Sequence, residues 1–244
     1  AGFGWLYAGR ALVPVRESLR RQRELAADAS HELRTPLTVV RSSVEHLRLH
    51  PDARVADVGS ALDDIEAEVT HLSSLVDDLL LLARADSGAL DLALQPCELG
   101  DVAAEAAAAL MSPAASRSVS IAIDPAPVMV DGDPKRLRQL VTILVDNAIR
   151  HSPADRTVDV TVRRDRDTAV LTVADHGPGI RPDDLPHVFD RFWRAPGETA
   201  GGAGLGLAIA AAIVGRHGGR IGVTNAAAGG AVFSVVDRKS TRLN

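Results

Sequence analysis

From Val15 to about Leu49 the apolar positions recur at steps of three and four: Leu19, Leu25, Ala29, Leu33, Leu37, Val40, Val44 and Leu47. Residues so spaced share one face of an α-helix, so the pattern predicts a long helix with a narrow apolar stripe. The polar stretch HPDARVADVG, residues 50–59, interrupts it. A second helical run carries Val58, Leu62, Ile65, Val69, Leu72, Val76, Leu79 and Leu82 and stops near Gly88. Together they predict a helical hairpin. A lone hairpin leaves its stripes uncovered, so a homodimer forming a four-helix bundle is expected.

Beyond Gly88 the pattern changes. The runs SVSIAI, PVMV, TVDVTVR, TAVLTVAD, RIGVTN and AVFSVV read as strands. Between them lie three helical segments, GDVAAEAAAALM, DPKRLRQLVTILVDNAIRH and GLGLAIAAAIVGRH. Asp133 suits an N-cap and Pro134 the first helical turn. This succession predicts an α+β two-layer sandwich, with helices on one face of a mixed sheet. The boundary is expected between Asp86 and Gln95. The resulting division is a hairpin over 15–88, a linker over 89–95 and a sandwich over 96–236. No internal repeat is visible.

Composition refines this picture. Aromatic residues are only 3 % of the 244 residues, so the cores must be built from Leu, Val, Ile and Ala. The formal charge of −5 gives no reason to expect nucleic-acid binding. Cys97 is the single cysteine, which rules out an intrachain disulfide and a cysteine-based metal cluster and fits a reducing compartment. At the start, Trp5 and Tyr7 precede Arg10, Arg16, Arg20, Arg21 and Arg23. This predicts that residues 1–14 are the inner end of a span in the inner membrane, with a basic flank on the cytoplasmic face. At the other end, residues 237–244, DRKSTRLN, are expected to be a non-native tail.

Candidate chemistry falls in four places. In DASHELRTPL, His31 stands beside Glu32, with Thr35 one turn on and Pro36 after it. A neutral imidazole can attack a phosphoryl group with a free lone pair, and a carboxylate can take the proton that the other ring nitrogen sheds. Neighbours in sequence do not normally face each other on a helix, so Glu32 must bend round. Thr35, on the face of His31, could position a water. In LVDNAIRHSP, Asn147 offers an amide oxygen to a hard cation such as Mg²⁺, and Arg150 and His151 can meet phosphate. In VADHGPGI, Asp175 ends a strand before Gly177 and Gly179, where a carboxylate could accept a bond from an exocyclic amine. In GGAGLGLAI, Gly202, Gly204, Leu205 and Gly206 precede a helix whose amides favour anions. Phe189, Phe192 and Trp193 lie between the two glycine stretches and are read as anchors of a lid tipped by APGETAGGAG. Each piece also has a plain structural reading: a solvated histidine, a helix end, a turn, or an amphipathic core helix.

In this order and spacing the chain resembles the sensor histidine kinases of two-component systems. SHELRTPL resembles their H box, DNAIRHSP their N box, DHGPGI their first glycine box, FDRFWR their F box and GAGLGLAI their second glycine box. The resemblance spans about Arg16 to Val236. It implies a dimerisation and histidine-phosphotransfer hairpin followed by a Bergerat-type ATP-binding domain. By that resemblance His31 accepts the γ-phosphoryl of ATP, Glu32 is the base, and Thr35 supports dephosphorylation. It also implies that Asn147 holds Mg²⁺, that Arg150 and His151 contact phosphates or nucleoside, and that Asp175 reads adenine. The glycine stretches and Phe189 would complete the pocket. The phosphoryl group would pass on to an aspartate in the receiver domain of a response regulator. One position departs from the pattern. Ile143 stands one turn before Asn147, where the family usually has a polar residue and related ATPases a glutamate. Isoleucine cannot act as a base, which argues against a water-directed ATPase. Two alternatives remain open: a phosphatase-dominant or pseudokinase module, and a non-enzymatic dimeric scaffold.

Overall fold

From Ala29 onward the apolar stripes form helix, Leu19 and Leu25 of the first stripe lying outside the described residues, and the alternating runs that follow form strand. The computed structural model describes residues 27, 29–50, 55–196 and 202–237. It divides into two units, Ala1–Ala83 and Arg84–Asn244. The expected membrane-span remnant at 1–14 lies outside the described residues, as do positions 197–201 of the lid tip and 238–244 of the tail. No helix among the described residues is long and apolar enough to cross a membrane.

In the first unit, helix α1 covers residues 29–49 and runs straight through Pro36, which is buried. Proline has no N–H, so the carbonyl of Glu32 loses its usual partner four residues on. Helix α2, Val55–Asp86, begins three residues earlier than its apolar stripe predicts. Ala61, Leu75, Leu81 and Leu82 are buried, whereas Leu37, Val44, Leu62, Val69 and Val76 are 42–55 % exposed. Within each helix the exposed residues are seven apart, so each helix of the single chain carries an uncovered apolar stripe.

The second unit continues with β1 (Gln95–Glu98), α3 (Leu99–Ala109), α4 (Met111–Ser116), β2 (Ser120–Pro125), β3 (Met129–Gly132) and α5 (Pro134–His151). Next come β4 (Thr157–Asp165), β5 (Thr168–Ala174), α6 (Gly206–Arg216), β6 (Arg220–Asn225) and β7 (Ala231–Asp237). The main sheet has the order β2-β4-β5-β7-β6, and β1 pairs with β3 in a separate ribbon. The β2–β4 pair is parallel and the other pairs are antiparallel, with Val160 opposite Val173 and Thr172 opposite Ser234. Alternation along β4 and β5 buries Val158, Val160, Val162, Leu171 and Val173 on one face. Helices α3, α5 and α6 supply Ala103, Ala106, Leu144, Val145, Ile209 and Ile213 to the same core. The expected two-layer sandwich is therefore present, with Phe233 as its large central side chain.

The last residue of α2 and the segment after it are bonded to the rest of the second unit at three points. Asp86 pairs with Arg191. The carbonyl of Leu90, a buried residue, accepts Arg216 Nη2 at 2.8 Å and Nε at 3.2 Å. The Ala93 amide donates to Asp133 Oδ2 at 3.1 Å. Residues 86–93 are thus strapped down within that unit.

Candidate functional site

Helix α5 sets one side of the site. Its 3.6-residue period buries Leu137, Leu140, Val141, Leu144, Val145, Ala148 and Ile149. Ile143, Asp146, Asn147 and Arg150 are left on the opposite, partly open face. The helix starts where the sequence predicts. Asp133 Oδ1 accepts the amides of Lys135 and Arg136 at 3.0 and 3.2 Å, and Pro134 occupies the first turn. The Asp133 amide donates to His217 Nε2 at 3.0 Å. Since Nε2 accepts there, Nδ1 carries the proton and donates to the Ile213 carbonyl at 2.8 Å. The ring thereby ties the start of α5 to the end of α6.

The loop after β5 forms a second side. Asp175 is 4 % exposed. Its Oδ1 accepts the amides of Gly177 and Ala231 at 2.8 and 3.0 Å. Gly177 backs onto α5, where a β-carbon would stand 2.4 Å from the His151 carbonyl oxygen. The loop's far end is held by Asn225, whose amide bonds both the N–H and the carbonyl of Ile180.

The start of α6 closes the third side. Leu205 at its N-cap offers no side-chain bond, and its first turn holds no acidic residue. The leading amides are therefore uncapped by any side chain and suit an anion. Gly204 has φ +69° and accepts a bond from the Phe192 amide at 2.9 Å. A β-carbon there would lie 2.8 Å from both the Phe192 carbonyl carbon and the Trp193 oxygen, so only glycine fits. Ile143 meets this side: its Cγ2 is 3.3 Å from where a Gly206 β-carbon would stand. Arg150 Nη1 lies equally close to the corresponding point at Gly202. Arg150 is also ion-paired to Asp146 on its own helix. Residues 182–192, between the glycine stretches, form turns rather than a helix, and Phe189 packs edge-on against Phe233 with centroids 6.3 Å apart.

Asn147, Arg150, His151, Asp175 and the glycine stretches are thus brought around one site. The uncapped helix and the glycine backbone fit a polyphosphate. Among the described residues no group of three or more His, Cys, Asp or Glu side chains could hold a metal. A cation here would rest on the Asn147 oxygen, phosphate oxygens and water. Asn225 and Asp133's bond to Ala93 are site supports that the sequence does not reveal. Asn225 reads as an ordinary turn residue, and Ala93 carries no pattern.

In the first unit His31 is exposed on α1, Thr35 is exposed one turn on, and Glu32 is half-buried. No hydrogen bond or ion pair joins His31 to Glu32.

Two family models match the chain. Residues 21–88 match the His Kinase A (phospho-acceptor) domain, and residues 132–239 match the histidine kinase-, DNA gyrase B- and HSP90-like ATPase. The chain is 32 % identical to the sensor histidine kinase RppB of Synechocystis over 95 % of its own length and 52 % of RppB. It is 37 % identical to the histidine-protein kinase/phosphatase MprB of Mycobacterium avium over 88 % of its length and 42 % of MprB. The chain spans about half the length of the curated relatives it matches. The crystal structure of full-length ShkA in complex with AMPPNP aligns at TM-score 0.68 and 29 % identity, covering 91 % of this chain and 47 % of that one.

Proposed function

From the premise that the chain belongs to the sensor histidine kinases of two-component systems, we propose that it moves the γ-phosphoryl group of ATP to His31. From His31 the group passes to an aspartate in the receiver domain of a response regulator. The observation that carries the reading is the start of α6: uncapped amides, a glycine with no room for a β-carbon, and contact with the polar face of α5. The nucleotide complex of ShkA supports ATP as the ligand.

In this mechanism the α6 amides and Arg150 hold the phosphates. Arg150 must leave Asp146 to do so. Asp175 presents its carboxylate to the adenine amine. Mg²⁺ held through Asn147 would neutralise charge on the β- and γ-phosphates. A ring nitrogen of neutral His31 forms the new N–P bond while the bond from the γ-phosphorus to the bridging oxygen breaks. ADP leaves with that electron pair. The proton on the other ring nitrogen goes to Glu32, whose side chain must rotate to reach it. The bonds at Asp86, Leu90 and Ala93 hold residues 86–93 to the second unit, so this segment travels with the ATP site.

The exposed stripes of α1 and α2 fit a second copy of the chain, giving a homodimeric four-helix bundle. The basic, aromatic start fits attachment to the inner membrane on its cytoplasmic face. Incubation with γ-labelled ATP and Mg²⁺ tests the reading. Label is expected on wild type and absent from Asn147→Asp, with the dimer intact; strong labelling of that variant would place the metal elsewhere. A phosphatase activity is favoured by Thr35, exposed on the face of His31, and by the dual activity in MprB's name. Thr35→Ala should keep the labelling and slow dephosphorylation of the regulator. Unchanged dephosphorylation removes Thr35 from that step.

A further inference from the structure

The loop 175–180 is gripped at both ends by one element that carries none of the sequence motifs. That element is the turn joining β6 to β7, residues 226–230, with its flanking residues Asn225 and Ala231. At the loop's start the Asp175 amide donates to the Ala231 carbonyl at 2.9 Å, and the Ala231 amide donates back to Asp175 Oδ1 at 3.0 Å. At the loop's end Asn225 Oδ1 accepts the Ile180 amide at 2.8 Å, and Asn225 Nδ2 donates to the Ile180 carbonyl at 2.6 Å. The turn is itself closed by Ala226 N–H to Gly230 O at 2.9 Å and Gly229 N–H to Ala226 O at 3.0 Å. Gly230, at φ +91°, sits so tightly under the loop that a β-carbon would fall 2.0 Å from the Asp175 carbonyl oxygen.

This geometry decides which carboxylate oxygen is available. Oδ1 accepts both the Ala231 amide and the loop's own Gly177 amide, which together fix the carboxylate's rotation and leave Oδ2 without a protein partner among the described residues. Asn225 does the corresponding work at the other end. A side-chain amide offers its donor and its acceptor on two separate atoms, as these two bonds use them. Aspartate would set an oxygen against the Ile180 carbonyl, serine could make one bond, and glutamine is a methylene too long. Gly179 lies beside the clamp, with its missing β-carbon 3.0 Å from Asn225 Oδ1.

We infer that Asn225 is a positioning residue for nucleotide recognition: it clamps the loop 175–180 through Ile180 so that Asp175 presents one fixed oxygen to the purine. The inference rests on the reading of the site as an ATP site. It acts on the base and not on the γ-phosphate, so it belongs to binding and purine choice. A carboxylate held in place accepts a bond from adenine's amine and repels guanine's carbonyl at the same position.

The test uses the whole chain, with labelling kinetics from ATP and from GTP and amide hydrogen exchange at Ile180. Two lost hydrogen bonds correspond to about a tenfold rise in KM for ATP in Asn225→Ala. The ATP-over-GTP preference should fall and kcat should hold. Asn225→Asp should do at least as much. Ile180 exchange should speed up in both variants without nucleotide present. A merely structural role would lower the active fraction, and hence kcat, while leaving KM and purine preference alone. That outcome overturns the inference, as does unchanged Ile180 exchange. A wild type that binds no ATP would instead overturn the reading of the site, and the inference with it.

Discussion

Replacing Asp133 by alanine removes three hydrogen bonds from one carboxylate. Oδ1 loses the Lys135 and Arg136 amides, and Oδ2 loses the Ala93 amide. Loss of an N-cap costs about 1 kcal/mol. The part-buried bond to Ala93 adds about 1 kcal/mol, since an amide left without its acceptor can be only partly rescued by water. The sum, about 2 kcal/mol, lowers the melting temperature of a unit of this size by about 4–8 °C. Scanning calorimetry of the whole chain is the appropriate assay, because two units need not melt as one and the second unit's transition can be read separately. The side chain introduced by Asp133→Asn keeps an oxygen for the helix amides but turns a donor toward Ala93. That variant should lose about half as much stability as Asp133→Ala. An alanine variant melting within about 1 °C of wild type would refute the reasoning, because it would mean that neither the cap nor the strap contributes.

Gly204→Ala adds about 1–2 kcal/mol of backbone strain at φ +69° and presses a β-carbon on the backbone of Phe192 and Trp193. Binding of a fluorescent ATP analogue should weaken by about tenfold or more; unchanged affinity would show that the two segments are not packed as described. Asp78, half-buried on α2, has its carboxyl pushed up from 3.8 to about 6, first by burial and then by repulsion from Asp77. Between those values the folded state holds a proton that the unfolded chain has released, so stability falls as pH rises from about 4 through 6. Asp78→Asn should therefore be more stable than wild type at pH 7.5, by about 1 kcal/mol after discounting for solvent screening, and should match it near pH 3.5. The reverse order at pH 7.5, or a gain that persists in acid, contradicts the assignment.

The sequence is most informative where a side chain acts through its own local pattern. The α5 start is legible because Asp133 and Pro134 are adjacent to the amides they serve, and the buried face of α5 follows from its period alone. Strands β4 and β5 alternate cleanly because helices cover one face of the sheet. Strand β1 escapes the pattern because QPCE is short, contains proline and has little apolar content; only its pairing with β3, from Gln95 opposite Gly132 to Glu98 opposite Met129, makes it a strand. The supports of the site are hidden for the same reason. Asn225 meets Ile180 across 45 residues, and Arg216 meets Leu90 across 126. Such contacts come from the closed fold and leave no local signature. Ile143, conspicuous as a departure, proves to pack toward Gly206, which gives an apolar role to a position where a polar one is expected.

The most direct test of the account is the location of the phosphoryl group after incubation with ATP and Mg²⁺. Trypsin releases the segment between Arg23 and Arg34 as one peptide, in which His31 is the single histidine. Acid-labile, base-stable phosphate is expected on that peptide in wild type and should disappear in His31→Gln. Phosphate on another peptide, or labelling that survives His31→Gln, would contradict it.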